Sequence, residues 1–534
     1  MDCEFSSLVV IEGHSRVPLS PSDRSTVTQY LYRAEEEIRK CEYEMKKLVT
    51  KILSLENGRR GLQKSVDLYR SVLSPVQRMP TEMLSSIFAF CCEKNELSSP
   101  RRLPVMSLSM VCARWRDIVL STPWLWSKLD VDFEPSYALP SRNKILSMAQ
   151  ITQLFMQRSQ NAPLTWSLDY YHIAPILPVL RPLLQNSERW RSISLYVDES
   201  LIDEPAFTSI SGRIPMLERL KLYTGDDIRH GQLDMFAVAP ALSMVDCTPM
   251  YLHNMALPWS QIRNLTLRYS YTPESLFVLS QCPNLEELKL DRIGSELFTE
   301  RNFEIVAPVT LHKVHTLSII CDAALDGDDF VFAFEFLTLP SLSFIALSSD
   351  IGNGWEGISW GERREEIQRF LLRSQCNITS LRMEAPGVDD HQAISFLLFL
   401  PSLEALYLQD QEQEYYYDDD DDSQNRYGRN KVVTPLFLQQ LIIRDGHSSG
   451  SSHFLPRLSN LTLVVHSDGL DVESLCDAVI SRWNTDTDTG VCSLQSVVIE
   501  VAGDGACLEK LLALEKLGTA GRRITVSHVE PHVD

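Results

Sequence analysis

"PNLEELKL", residues 283–290, sets leucines at 285, 288 and 290 among polar residues, two positions after a proline. Proline there ends a preceding helix and opens an extended segment, so the stretch predicts a strand that carries its own punctuation. The spacing L-x-x-L-x-L returns as LERLKL (217), IRNLTL (262), VHTLSI (314), LSFIAL (342), ITSLRM (378), LEALYL (403), LQQLII (438), LSNLTL (458) and LQSVVI (494). Fainter copies begin at Trp190 and Leu242, and proline holds the same place at Pro215, Pro240, Pro340, Pro401 and Pro456.

The twelve starts lie 20 to 36 residues apart, which fits leucine-rich repeats of roughly 20–29 residues with some irregular members. Helix candidates at 362–373, 391–400 and 473–483 fall between copies. A strand alternating with a helix, each turn stacked on the last, predicts an irregular α/β solenoid with parallel strands over 136–534. Regular arrays often place asparagine three residues after the last apolar position, and none of these copies does. Residues 409–430, QDQEQEYYYDDDDDSQNRYGRN, interrupt the array. Five adjacent aspartates repel one another and add nothing to a core, so this insertion is expected to be a disordered acidic loop.

Upstream of the repeats the pattern becomes helical. Met83, Leu84, Ile87, Phe88 and Cys91 predict one amphipathic helix, and 93–104 reads as a polar loop. Leu108, Val111, Cys112, Trp115 and Ile118 predict a second helix ending near Thr122-Pro123, with Trp124 and Trp126 closing the core. Before it, Leu31, Ile38, Met45, Ile52, Val66 and Leu73 alternate with Ala34, Cys41, Leu48, Leu55, Leu62 and Tyr69 in a heptad pattern broken only by Arg59. This predicts a helix over 27–73 with a stripe to bury. Asn57-Gly58 and Gly61 leave two readings open, a short coiled coil with a weak joint or a helical hairpin, and the helix is expected either to self-associate or to fold back upon the stretch that follows it. Residues 1–26 lack periodicity and are expected to be mobile.

Composition narrows the function. Among 534 residues, 71 acidic against 50 basic side chains give a net charge of -21, which disfavours nucleic acid and anionic membrane as partners. No apolar run approaches the roughly 18 residues a membrane span needs, and the first residues lack the layout of a secretory signal. Twelve cysteines without a C-x-x-C predict reduced thiols, no metal site and a cytoplasmic or nuclear setting. Two G-x-S-x-G matches, at 357–361 and 446–450, each lack one of the flanking elements a nucleophile elbow requires. With no H-E-x-x-H and no phosphate-cradling glycine loop, the chain is expected to be neither an enzyme nor a cofactor carrier.

Residues 73–131 resemble an F-box, in the F-box-like form of large fungal families. Its Leu-Pro, acidic residue, Ile-Phe pair, Val-Cys-x-x-Trp-Arg and closing Pro-x-Leu-Trp are matched by Met79-Pro80, Glu82, Ile87-Phe88, Val111-Cys112 with Trp115-Arg116, and Pro123-Trp124 with Trp126. The resemblance implies a small all-α domain over 74–135 that binds the Skp-type adaptor of cullin-RING ubiquitin ligases. It assigns Met79, Pro80, Leu84, Ile87, Phe88, Val111, Cys112 and Trp115 to the adaptor-facing apolar surface, partly shared with the domain core. The repeats resemble the divergent leucine-rich arrays often attached to F-boxes, which hold a protein substrate. The expected fold class is therefore α+β and multi-domain, and the expected role is a ligase's substrate-recognition subunit. The alternative is a non-catalytic scaffold that uses the same domain for assembly without ubiquitylation.

Overall fold

In the computed structural model the described residues are 21–529 except 99–102, 133–140, 170–172, 198–203, 225–233, 249–255, 269–271, 292–307, 323–328, 351–363, 385–387, 411–430, 444–452, 486–489, 504–506 and 519–520. The chain is a mixed α/β protein with a long N-terminal helix and a large parallel sheet, divided into the units Met1–Leu84 and Ser85–Asp534. The acidic run, both G-x-S-x-G matches and residues 1–20 lie outside the described residues.

In the first unit, α1 runs unbroken through Pro21–Leu73, 53 residues. Proline suits a first helical turn because the N–H it lacks would be unpaired there anyway. Asn57, Gly58 and Gly61 lie inside the helix, so the hairpin reading is corrected to one continuous helix. A helical glycine costs about 1 kcal/mol against alanine. The Lys, Glu, Leu and Arg around these two carry the helix through, with Arg60 and Glu56 paired at 4.0 Å across Gly58. A 3-10 turn, Pro75–Arg78, links α1 to α2 (Thr81–Cys91).

The second unit opens with the rest of α2, then α3 (Pro104–Val111) and α4 (Ala113–Ser121), where the sequence predicts one helix. Cys112 divides them: its φ of -157° and ψ of 170° are extended, and its Sγ accepts from the Trp115 N–H at 3.5 Å as the cap of α4. Within 93–104, residues 93–98 form a loop, as read, but one that is partly buried and bridged to a strand rather than wholly polar and exposed. Asn95, Leu97 and Leu103 are buried, the Leu97 N–H donates to the Asp130 carbonyl at 2.9 Å, and the Asp130 N–H donates to the Asn95 carbonyl at 2.9 Å. This segment thus occupies the free edge of the first strand, where unpaired main-chain groups would otherwise face outward.

The strands in chain order are β1 (Lys128–Asp132), β2 (Leu164–Asp169), β3 (Trp190–Val197), β4 (Arg219–Thr224), β5 (Met244–Cys247), β6 (Asn264–Arg268), β7 (Glu287–Asp291) and β8 (Val309–Thr310). They continue with β9 (Thr316–Asp322), β10 (Leu337–Thr338), β11 (Phe344–Asp350), β12 (Ser380–Glu384), β13 (Ala405–Gln409), β14 (Asn460–His466), β15 (Ser496–Ala502) and β16 (Arg523–Val529). Fourteen form one sheet whose order follows the chain, while β8 and β10 pair separately. Every pairing is parallel among the described residues. Because β1 falls inside 74–135, that stretch is not all-helical.

Two apolar rows hold the sheet. One passes in register from Leu129 to Trp166 to Ile193 at one end and from Leu461 to Val497 to Ile524 at the other. The other, two residues along, starts at Val131 and ends at Val526, and both rows are buried throughout. Alternation along each strand sends these side chains to one face, at about 1.5–3 kcal/mol of burial per large side chain. The copies from 190 to 494 lie on these strands with one exception: LQQLII at 438 belongs to the helix Pro435–Leu441, whose Thr434 cap accepts from the Phe437 N–H at 3.3 Å.

Arginine side chains tie successive turns. Arg189 reaches the Ala162 carbonyl at 2.8 Å, Arg373 the Leu337 carbonyl at 2.7 Å, and Arg522 the Leu494 carbonyl at 2.7 Å. Arg482 is almost fully buried and donates to the carbonyls of Leu441, Leu455 and Phe454. Burial pulls its guanidinium pKa down to about 10.

Candidate partner surfaces

Helix α2 carries the first group of motif residues. In the first unit, Met79 is half-buried, Pro80 is exposed and its carbonyl accepts from the Leu84 N–H at 3.1 Å, and Leu84 is buried. Met83, read as part of the helix's inward stripe, is exposed.

In the second unit, Phe88 is buried and its ring meets Trp115 at 4.8 Å between centroids, tilted by 56°. Trp115 is in turn bound through its main chain to Cys112, so α2, the α3–α4 break and α4 are tied at one point. Phe88 therefore acts from beneath the surface rather than on it. Ile87 is 42% and Val111 59% exposed. Phe90 at 76% and Met110 at 69% add apolar surface that the sequence reading missed. Phe90 lies off the stripe assigned to the core, and a phenylalanine on the supposed polar side was the available signal.

Trp124 and Trp126 part company. Trp126 is buried, donates from Nε1 to the Val119 carbonyl at 2.9 Å and meets the Phe155 ring edge-on at 5.2 Å. Trp124 is 44% exposed, which corrects its placement in the core. The 3-10 turn Pro123–Trp126 between α4 and β1 produces the difference, since it cannot aim both indoles at one side.

The second surface is the sheet face opposite the two apolar rows. Arg268 forms a two-pronged pair with Asp246, Nε–Oδ1 at 2.7 Å and Nη2–Oδ2 at 3.1 Å, and its Nη1 bonds Asp291. Lys221 approaches Asp246 at 3.8 Å. The Arg268 guanidinium is held above its ordinary pKa, first by the hydrogen bond to Asp246. Farther along, Arg382 lies 4.0 Å over the Tyr407 ring and bonds Glu384, while the Tyr407 hydroxyl donates to Gln409 at 2.8 Å. Burial pushes the Tyr407 hydroxyl's pKa up. These charges are fixed in advance and mutually satisfied, which suits recognition of a shaped polar partner better than capture of a single ion.

Three buried thiols are poorly suited to nucleophilic chemistry. Burial raises Cys92 and Cys282 to about 12 and Cys247 well above its ordinary value, and a thiol that stays protonated is a poor nucleophile. Among the described residues no group of His, Cys, Asp and Glu is placed to hold a metal ion, and no helix is long and apolar enough to cross a membrane. No family model and no curated protein matches the chain.

Proposed function

We propose that the chain is the substrate-recognition subunit of a cullin-RING ubiquitin ligase. In this reading residues 74–135 act as an F-box-like unit for a Skp-type adaptor, and 136–534 form a leucine-rich-repeat solenoid whose polar sheet face holds a protein substrate. The observation that supports it most is the exposure of Ile87, Phe90, Met110 and Val111 on the short helices bearing the motif residues. Apolar side chains grouped on a small helical segment favour a protein partner over water. Phe88, Cys112 and Trp115 serve as the support that holds those helices. The resemblance assigns Met79, Pro80 and Leu84 to the same binding role, but Leu84 is buried and, like Phe88, is not part of the exposed apolar surface. The chain itself does no catalysis; the ligase's other subunits transfer ubiquitin.

The test is affinity capture of the full chain under proteasome inhibition, beside a pull-down with purified adaptor. Adaptor together with polyubiquitylated clients is the expected result. Adaptor without ubiquitylated clients would favour the scaffold alternative, and no adaptor binding by a well-folded chain would end the receptor reading and leave the scaffold alternative in front.

A further inference from the structure

Every described side chain of α1 between residues 27 and 73 is exposed. The helix is about 80 Å long at 1.5 Å per residue, and along it Leu48, Leu55 and Leu62 are 57%, 65% and 72% exposed. An isolated helix draws little stability from propensity alone, and a stripe of this length ordinarily has a partner.

We propose that the partner is a second copy of this chain, in a parallel, in-register, two-stranded coiled coil of α1 with α1. The seam chemistry selects that arrangement. Ile38, Ile52 and Val66 stand at one core position and Leu48, Leu55 and Leu62 at the other. β-branched residues at the first with leucine at the second favour parallel pairs over trimers and tetramers. Arg59 sits at a core position. In a pair its long stem lies along the seam while the guanidinium reaches water, an escape that larger bundles close off.

The charges that flank the core balance in the same register. Lys51 precedes Glu56 by five residues and flanks the core, so in a parallel pair Lys51 of each helix meets Glu56 of the other, twice by symmetry. Glu37 and Glu42 hold equivalent places and oppose it. Glu37 is already bound to Lys40 of its own helix at 2.8 Å, which offsets that repulsion. Pairing would give one assembly two copies of the polar sheet face. This inference stands apart from the ligase reading, because it uses no residue of the F-box-like stretch.

The experiment is the molar mass of the full chain by light scattering, with a short bis-maleimide cross-linker as a second readout. A parallel in-register pair sets Cys41 against its own copy, whereas an antiparallel pair moves the two apart along the helix. A dimer that cross-links, and a Cys41→Ser variant that stays dimeric without cross-linking, are expected. Leu48→Asp with Leu55→Asp should give a monomer whose remaining structure melts as before, since both side chains are exposed in the single chain. A monomeric parent, a trimer or tetramer, or a dimer that survives the double aspartate variant would overturn the proposal. A dimer whose Cys41 fails to cross-link would overturn its parallel register.

Discussion

Arg482 donates from Nη1 to the main-chain carbonyl of Leu455 at 2.9 Å, and Leu455 holds φ at 47°, in the left-handed region that leucine seldom adopts. The guanidinium also satisfies Leu441 and Phe454, so one side chain fixes the irregular segment ahead of β14. Arg482→Met fills similar space but removes the guanidinium from all three carbonyls, leaving Leu455 with only the Leu458 N–H at 3.3 Å. A loss of more than about 3 kcal/mol is expected. Chemical denaturation checks it, and a loss under about 1 kcal/mol would show that water replaces the guanidinium at little cost.

Trp124 and Trp126 give a paired comparison within three residues. Trp126→Ala should cost about 3–5 kcal/mol through the cavity it leaves, the lost Phe155 contact and the lost indole bond to the Val119 carbonyl. Trp124→Ala should change stability by less than about 1 kcal/mol. Equal losses in thermal melts would contradict the exposure described for Trp124.

Asp410 predicts a pH effect of definite sign. Burial lifts its carboxyl above the ordinary range, against the pull of the Val432 and Val433 main-chain donors. With a folded pKa above the unfolded one, its favourable contribution is complete below the unfolded value and is lost as pH rises through the folded one. Asp410→Asn keeps an oxygen for both donors and cannot ionise. Melting temperature across that window should become flatter, with stability near neutrality no lower than in the parent. A clear destabilisation at neutral pH would mean that the ionised carboxylate is itself favourable.

Ile87→Ser combined with Phe90→Ser should lower adaptor affinity at least tenfold, because interface energy concentrates in a few central apolar contacts. Both side chains face solvent, so the melt should hold. Binding is read by calorimetry and folding by circular dichroism. Unchanged affinity in a folded double variant would remove these residues from the interface.

The sheet was legible where leucine spacing coincided with a strand, and the misses have physical causes. LQQLII at 438 satisfies the spacing as a helix, because Thr434-Pro435 supplies a cap and a first-turn proline. β1, β2 and β16 were hidden because KLDVD, LTWSLD and RITVSHV alternate without the leading leucine, with Trp166 standing where most strands have an aliphatic residue. In the helical stretch, periodicity separated Leu84 and Phe88 from solvent but gave no sign that Cys112 breaks a helix. That depends on one residue's backbone, which composition does not encode. The arginine ties were equally out of reach, since their acceptors are carbonyls that any residue supplies.

In the large sheet each strand's neighbour is the next large-sheet strand along the chain, from β1 to β16. Strand pairing therefore never skips a turn of the array, and each contact closes a single connection, the longest being 410–459 between β13 and β14. A strand with its return helix can then be duplicated or lost without orphaning a remote partner. The number of turns, and with it the reach of the polar face, is free to drift while the chemistry of each turn is kept.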